Sequence, residues 1–152
     1  MKEEDCSGQA RVETGAEDEV EKNLLPLYLN GVYCGFPSPA DEYLEARIDI
    51  REYLVKNELS TFYVYAKGTS MTDAFIADGA LLIVDRSLDY KSTSKFLCFY
   101  DNGFTVKFIR KRGGKIFLIP ASPEHKAIEV KDGVPFQIWG TVTYSINSHY
   151  KW

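Results

Sequence analysis

The chain has 152 residues, of which 45% are hydrophobic and 26% charged, with a formal net charge of −4; that is globular composition at a length of one domain with a short tail. No apolar run approaches the ~18 residues that a membrane helix needs, and the first residues are acidic and polar, so no membrane span or secretory signal is visible and a cytoplasmic protein is expected. Two His and three Cys without CxxC or HxxxH spacing argue against a structural metal, so neither metal nor cofactor is expected, and the unpatterned Cys6, Cys34 and Cys98 fit a reducing compartment.

Residues 1–22 hold eight acidic and three basic side chains, a net of −5, whereas the other 130 residues carry 14 acidic and 15 basic groups, a net of +1. The first segment therefore reads as a flexible, disordered acidic arm. The nearly neutral body lacks the broad cationic face of a duplex-DNA binder, so little direct DNA binding is expected. Asn23 to Ala40 contains Pro26, Gly31, Gly35, Pro37 and Pro39, which forbid a continuous helix and predict an extended, accessible stretch. Short helical pieces are predicted between Asp41 and Asn57, where Asp49 and Glu52 have the spacing of a capping box.

From Thr61 the pattern turns to strand. Predicted strands are Thr61–Ala66, Leu81–Val84, Lys95–Tyr100, Phe104–Ile109, Lys115–Pro120, Ala127–Val130 and Phe136–Ser145. Asp101-Asn102-Gly103 carries an Asn-Gly hairpin signal, and Gly113-Gly114 marks the next turn. Seven short strands separated by turns predict a mainly β domain, either a sandwich or a small barrel-like sheet.

Two residues stand out chemically. Ser70, in Gly68-Thr69-Ser70-Met71, follows a strand and precedes a short helical pattern over Thr72–Ile76. A side chain on such a turn projects outward beside unpaired N–H groups that can hold an oxyanion. The commoner role of a serine there is to cap the helical turn. Lys107 lies in the apolar strand Phe104-Thr105-Val106-Lys107-Phe108-Ile109. Buried, it would be a neutral base; yet alternation sets it opposite Phe104, Val106 and Phe108, which favours a solvated lysine. Cys34 has no His near it in sequence and reads as a plain linker thiol. Asp41/Glu42 and Asp85/Asp89 read as solvated loop charges. Lys107, Arg110, Lys111, Arg112 and Lys115 read as a solvated hairpin end, or as a minor nucleic-acid or partner contact.

Several stretches, in order, resemble the UmuD-type members of the LexA-like self-cleaving serine peptidases. They are Cys34-Gly35-Phe36-Pro37-Ser38-Pro39-Ala40, Arg47-Ile48-Asp49, Gly68-Thr69-Ser70-Met71, Asp78-Gly79, Leu82-Ile83-Val84-Asp85, Phe104-Thr105-Val106-Lys107 and Leu118-Ile119-Pro120, spread over roughly residues 33–145. The resemblance implies a curled, mainly β catalytic domain with a short helical segment and an extended N-terminal arm. It implies a serine endopeptidase with Ser70 as nucleophile, Lys107 as general base and Cys34-Gly35 as the bond it cuts in its own chain. Residues 1–34 would be the arm removed and residues 35–152 the peptidase domain. It further implies a homodimer, cleavage stimulated by the RecA filament on single-stranded DNA, and a processed form that serves a Y-family translesion polymerase in DNA-damage-induced (SOS) mutagenesis. The alternatives are a dimeric adaptor for RecA and polymerase that cuts slowly or not at all, and a LexA-like repressor fragment; the 33 acidic, Pro/Gly-broken residues before Cys34 cannot supply a helix-turn-helix for the latter. The arm is longer and more acidic than the family pattern, and Asp78-Gly79-Ala80 and Ser94-Lys95 depart from it.

Overall fold

The computed structural model describes residues 24–29, 34–35 and 45–150; the acidic segment 1–22 lies outside the described residues. The chain forms two compact units, Met1–Tyr53 and Leu54–Trp152. In the first, β1 (Leu24–Tyr28) pairs antiparallel with β2 (Glu45–Asp49), Leu24 opposite Asp49 and Tyr28 opposite Glu45. Pro26 sits opposite Arg47, which a two-stranded ladder tolerates because each strand has an outer edge where the missing N–H is not needed. Among the described residues the helical expectation for this region holds only for α1 (Ile50–Leu54), residues 41–44 lying outside them. Asp49 caps it, its Oδ1 accepting from the N–H of Arg51 at 2.8 Å and of Glu52 at 3.2 Å. Glu45–Asp49 is strand instead because β1 supplies a partner, a long-range fact that local propensity does not carry.

The second unit is a seven-stranded antiparallel sheet in the order β3-β4-β9-β5-β6-β7-β8. Its strands are β3 (Thr61–Tyr65), β4 (Leu81–Asp85), β5 (Lys95–Tyr100), β6 (Gly103–Arg112), β7 (Lys115–Ile119), β8 (Ile128–Glu129) and β9 (Phe136–Ile146), all seven of them predicted. β9 lies between β4 and β5, so the sheet is complete only when β9 is in place. Consecutive Phe96, Leu97 and Cys98 on β5 are all buried. Because side chains alternate, both faces of the sheet must be covered there. One core gathers Met71, Leu82, Val84 and Leu97, the other Phe96, Cys98, Ile109 and Leu118.

The β5–β6 hairpin differs from expectation in one detail. Its two turn residues are Asp101 and Asn102, at φ 49° and 61°, while Gly103 pairs with Tyr100 as the first residue of β6. Asp and Asn tolerate the left-handed region well enough to make the turn without the glycine. Where glycine is indispensable is Gly140, in the middle of β9. It lies opposite Leu97, at a register shift in the β5–β9 ladder. A Cβ there would stand 2.7 Å from Val84 Cγ1 and 2.9 Å from the Asp85 carbonyl oxygen. Gly140→Ala should therefore destabilise the protein by about 1–3 kcal/mol, the usual range for overpacking. Urea unfolding would measure this, and an unchanged midpoint would show that the β4–β9 approach can relax freely.

Candidate active site

Ser70 is carried by the loop between β3 and β4. The loop is closed at its neck, where the Ala66 N–H donates to the Ala80 carbonyl at 2.8 Å and the Gly79 N–H to the Ala66 carbonyl at 3.0 Å. Within it, the Gly68 N–H donates to Asp78 Oδ1 at 2.6 Å. Beyond it, the Ser70 carbonyl accepts from the Ala121 N–H at 2.8 Å, and the Asp73 N–H donates to the Ala121 carbonyl at 2.9 Å. The serine is thus pinned to the segment that follows β7. It is not a cap. The helical turn is a 3₁₀ turn over Thr72–Ala74, preceded by Met71, with no side-chain cap bond. It stops at Phe75, which is left-handed at φ 61°, so the expected helical pattern to Ile76 is cut short.

Lys107 sits on β6 opposite Phe96 and is only 6% exposed. The solvated lysine that alternation favoured is not what forms. Phe104 is exposed, while Lys107 and Ile109, two places apart on the same face of the strand, are buried. With both sheet faces covered, apolar spacing cannot say which face is wet. The Lys107 Nζ lies 2.8 Å from Ser70 Oγ and donates to Thr105 Oγ1 at 2.9 Å and to the Val106 carbonyl at 3.0 Å. Burial pushes its pKa below the ordinary lysine value of 10.5, with the nearby Cys98 acting weakly in the other direction. The Cys98 thiol is itself pushed up to about 12 by burial. A neutral amine has two N–H groups and one lone pair. With Thr105 and Val106 taking the N–H groups, the lone pair is left for the Ser70 hydroxyl.

That arrangement can activate an alcohol as a nucleophile. Beside Ser70 opens a cleft of about 270 Å³, lined among others by Tyr65, Gly68, Leu97 and Phe104. Among the described residues the N–H groups of Ser70 and Met71 meet no acceptor, which leaves two donors for an oxyanion. Ser70 and Lys107 are brought together. Cys34 and Gly35 form an exposed bend of the first unit. His125 meets Ser122 Oγ at 3.3 Å and has no part in the pair. Two residues were missed. Thr105 was legible in principle, two places before Lys107 and so on the same face of the strand. Cys98 was not, because its nearness to Lys107 depends on the β5–β6 register.

Residues 26–143 match the family described as Peptidase S24-like. Protein MucA of Salmonella typhimurium and of Escherichia coli is 35% identical over 126 residues, spanning 82% of this chain and 86% of MucA. Protein SamA of Salmonella typhimurium is 30% identical over 131 residues, 86% of this chain and 91% of its own. Protein ImpA of Shigella flexneri is 32% identical over 126 residues, 82% and 84%.

The buried lysine has a consequence for stability. A lysine whose folded pKa is lowered holds fewer protons folded than unfolded. Its penalty is complete below the folded pKa and fades as pH rises toward 10.5. In a Ser70→Ala background, Lys107→Met should raise stability at pH 7 by on the order of 1 kcal/mol. The gain should shrink as the urea titration is repeated at higher pH; a gain that stays constant with pH would show that Lys107 titrates as it does unfolded.

Proposed function

The chain belongs to the Peptidase S24-like family, and on that premise we propose that it is a serine endopeptidase that cuts its own backbone between Cys34 and Gly35. The observation that carries the reading is the 2.8 Å contact between the Ser70 Oγ and the Nζ of a buried lysine. Neutral Lys107 takes the Ser70 proton as Oγ bonds to the Cys34 carbonyl carbon. The Ser70 and Met71 N–H groups hold the oxyanion. The Cys34–Gly35 bond then breaks, the Gly35 nitrogen takes the proton from the Lys107 ammonium, and water, deprotonated by Lys107, releases the Cys34 acyl group and restores Ser70. Cutting there removes 34 residues and leaves 118. Because substrate and catalyst share one chain, docking replaces diffusion and effective molarity is high.

The likeness to UmuD-type proteins supports a place in DNA-damage-induced mutagenesis. In that role the RecA filament on single-stranded DNA stimulates cutting, and the processed homodimer serves a Y-family translesion polymerase. Among the described residues no helix is long and apolar enough to cross a membrane.

Incubation of the full chain with RecA, nucleotide and single-stranded DNA, followed by intact mass, should yield the 118-residue product. Ser70→Ala and Lys107→Ala should each slow its appearance by at least about a thousandfold. Without RecA, the rate should climb from neutral to alkaline pH as Lys107 loses its proton, and level off below 10.5. Cutting that survives either substitution rejects the dyad, and a chain that binds the filament without ever cutting is an adaptor instead.

A further inference from the structure

The chain leaves β9 through Asn147, and that residue reaches the serine loop with both ends of its side chain. Its Nδ2 donates to the Phe75 carbonyl at 3.0 Å, and its Oδ1 accepts from the Ala77 N–H at 3.1 Å. Ser145 Oγ donates to the same Phe75 carbonyl at 3.1 Å. Phe75 itself is held at φ 61°, ψ 31° and is 82% exposed. An aromatic residue takes the left-handed region only when its surroundings hold it there. Packing does not hold this one, since its ring lies in solvent; hydrogen bonds do, from its own N–H to the Thr72 carbonyl at 2.9 Å and to its carbonyl from Ser145 and Asn147.

The left-handed turn at Phe75 has a purpose in the backbone. It folds the chain back so that the Ile76 N–H reaches the Met71 carbonyl at 3.2 Å, which also accepts from Ala74 at 3.1 Å. This is the reversal that glycine usually makes at the end of a helical turn. Met71 is buried and directly follows Ser70. A continuous path thus runs from Asn147 to Phe75, through the Ile76–Met71 bond, to Ser70.

Resting on the peptidase reading above, we infer that Asn147, with Ser145 beside it, is a positioning residue for Ser70. It acts by holding Phe75 in the conformation that closes the Met71–Ile76 turn. A merely structural Asn147 would matter whatever residue stood at 75. A positioning Asn147 matters only while residue 75 resists the left-handed region, and glycine does not resist it.

The test measures the effect of Asn147→Ala on self-cleavage of the full chain in two backgrounds. With Phe75 present, the rate should fall roughly ten- to hundredfold, as misplaced nucleophiles do. In a Phe75→Gly background the same substitution should change the rate by less than about threefold, because glycine supplies the turn unaided. An equal loss in both backgrounds, or no loss in either, overturns the inference. Amide hydrogen exchange at Ile76, in full chains carrying Ser70→Ala so that they stay intact, gives a second readout. Asn147→Ala should speed that exchange by about tenfold or more with Phe75, and little with Phe75→Gly. Faster exchange with unchanged cutting also overturns the inference. If the unsubstituted chain never cuts itself, the peptidase reading falls, and the Ile76 amide alone decides whether Asn147 holds the turn.

Discussion

One amine is kept out of water, and the arrangement around it follows from that requirement. An ammonium in solvent has no lone pair to offer a hydroxyl at neutral pH. Burial removes the hydration that favours the charged form, and Lys107 is almost wholly buried on β6. That burial requires cover on the inner face of β6, which comes from Phe96 and Cys98 on β5 and from Ile109 and Leu118. β5 in turn is held in mid-sheet by β9, so β9 supports the burial of a lysine it does not touch in the ladder. The fit of Gly140 against the Asp85 carbonyl is part of the same closure.

Under the proposed reaction, catalyst and cleavable bond belong to different compact units. The Ser70–Lys107 contact is complete within the second unit, so nothing further needs assembling there before chemistry. Control then lies in the encounter between the exposed Cys34–Gly35 bend and Ser70. A partner that favours the docked arrangement speeds cutting only by the difference in its affinity for docked and undocked chains. An activator of this kind need contribute no catalytic group.

Much of this was legible in the residues themselves. All seven strands of the main sheet were marked by β-branched and aromatic runs, with turn residues between them. Ser70 and Lys107 became visible through the ordered set of short motifs, while spacing alone pointed to a capping serine and a solvated lysine. Both local readings failed for one reason. Capping and alternation describe a segment with one wet side, whereas here the sheet is covered on both faces and the serine loop is tied to the segment after β7. β2 was missed because Glu-Ala-Arg-Ile-Asp is strand only by virtue of its partner β1. Cys98 was read as a mark of compartment because no rule of spacing along the chain brings it to Lys107.

The two side chains of the proposed dyad are held by different means. Lys107 is fixed from within the sheet, by its strand and by Thr105 and Val106. Ser70 is fixed by a loop whose bonds are mostly main-chain, to Ala121 on one side and through Phe75 to the end of β9 on the other. Each support contains a locally unfavourable feature: a desolvated amine in one, a left-handed phenylalanine in the other. Local strain and buried polar groups persist only where the surrounding structure offsets them. The 2.8 Å contact between Lys107 and Ser70 thus joins two supports that each hold an unfavourable feature, the pattern expected, under the proposed reaction, of a site that gives up some stability for reactivity.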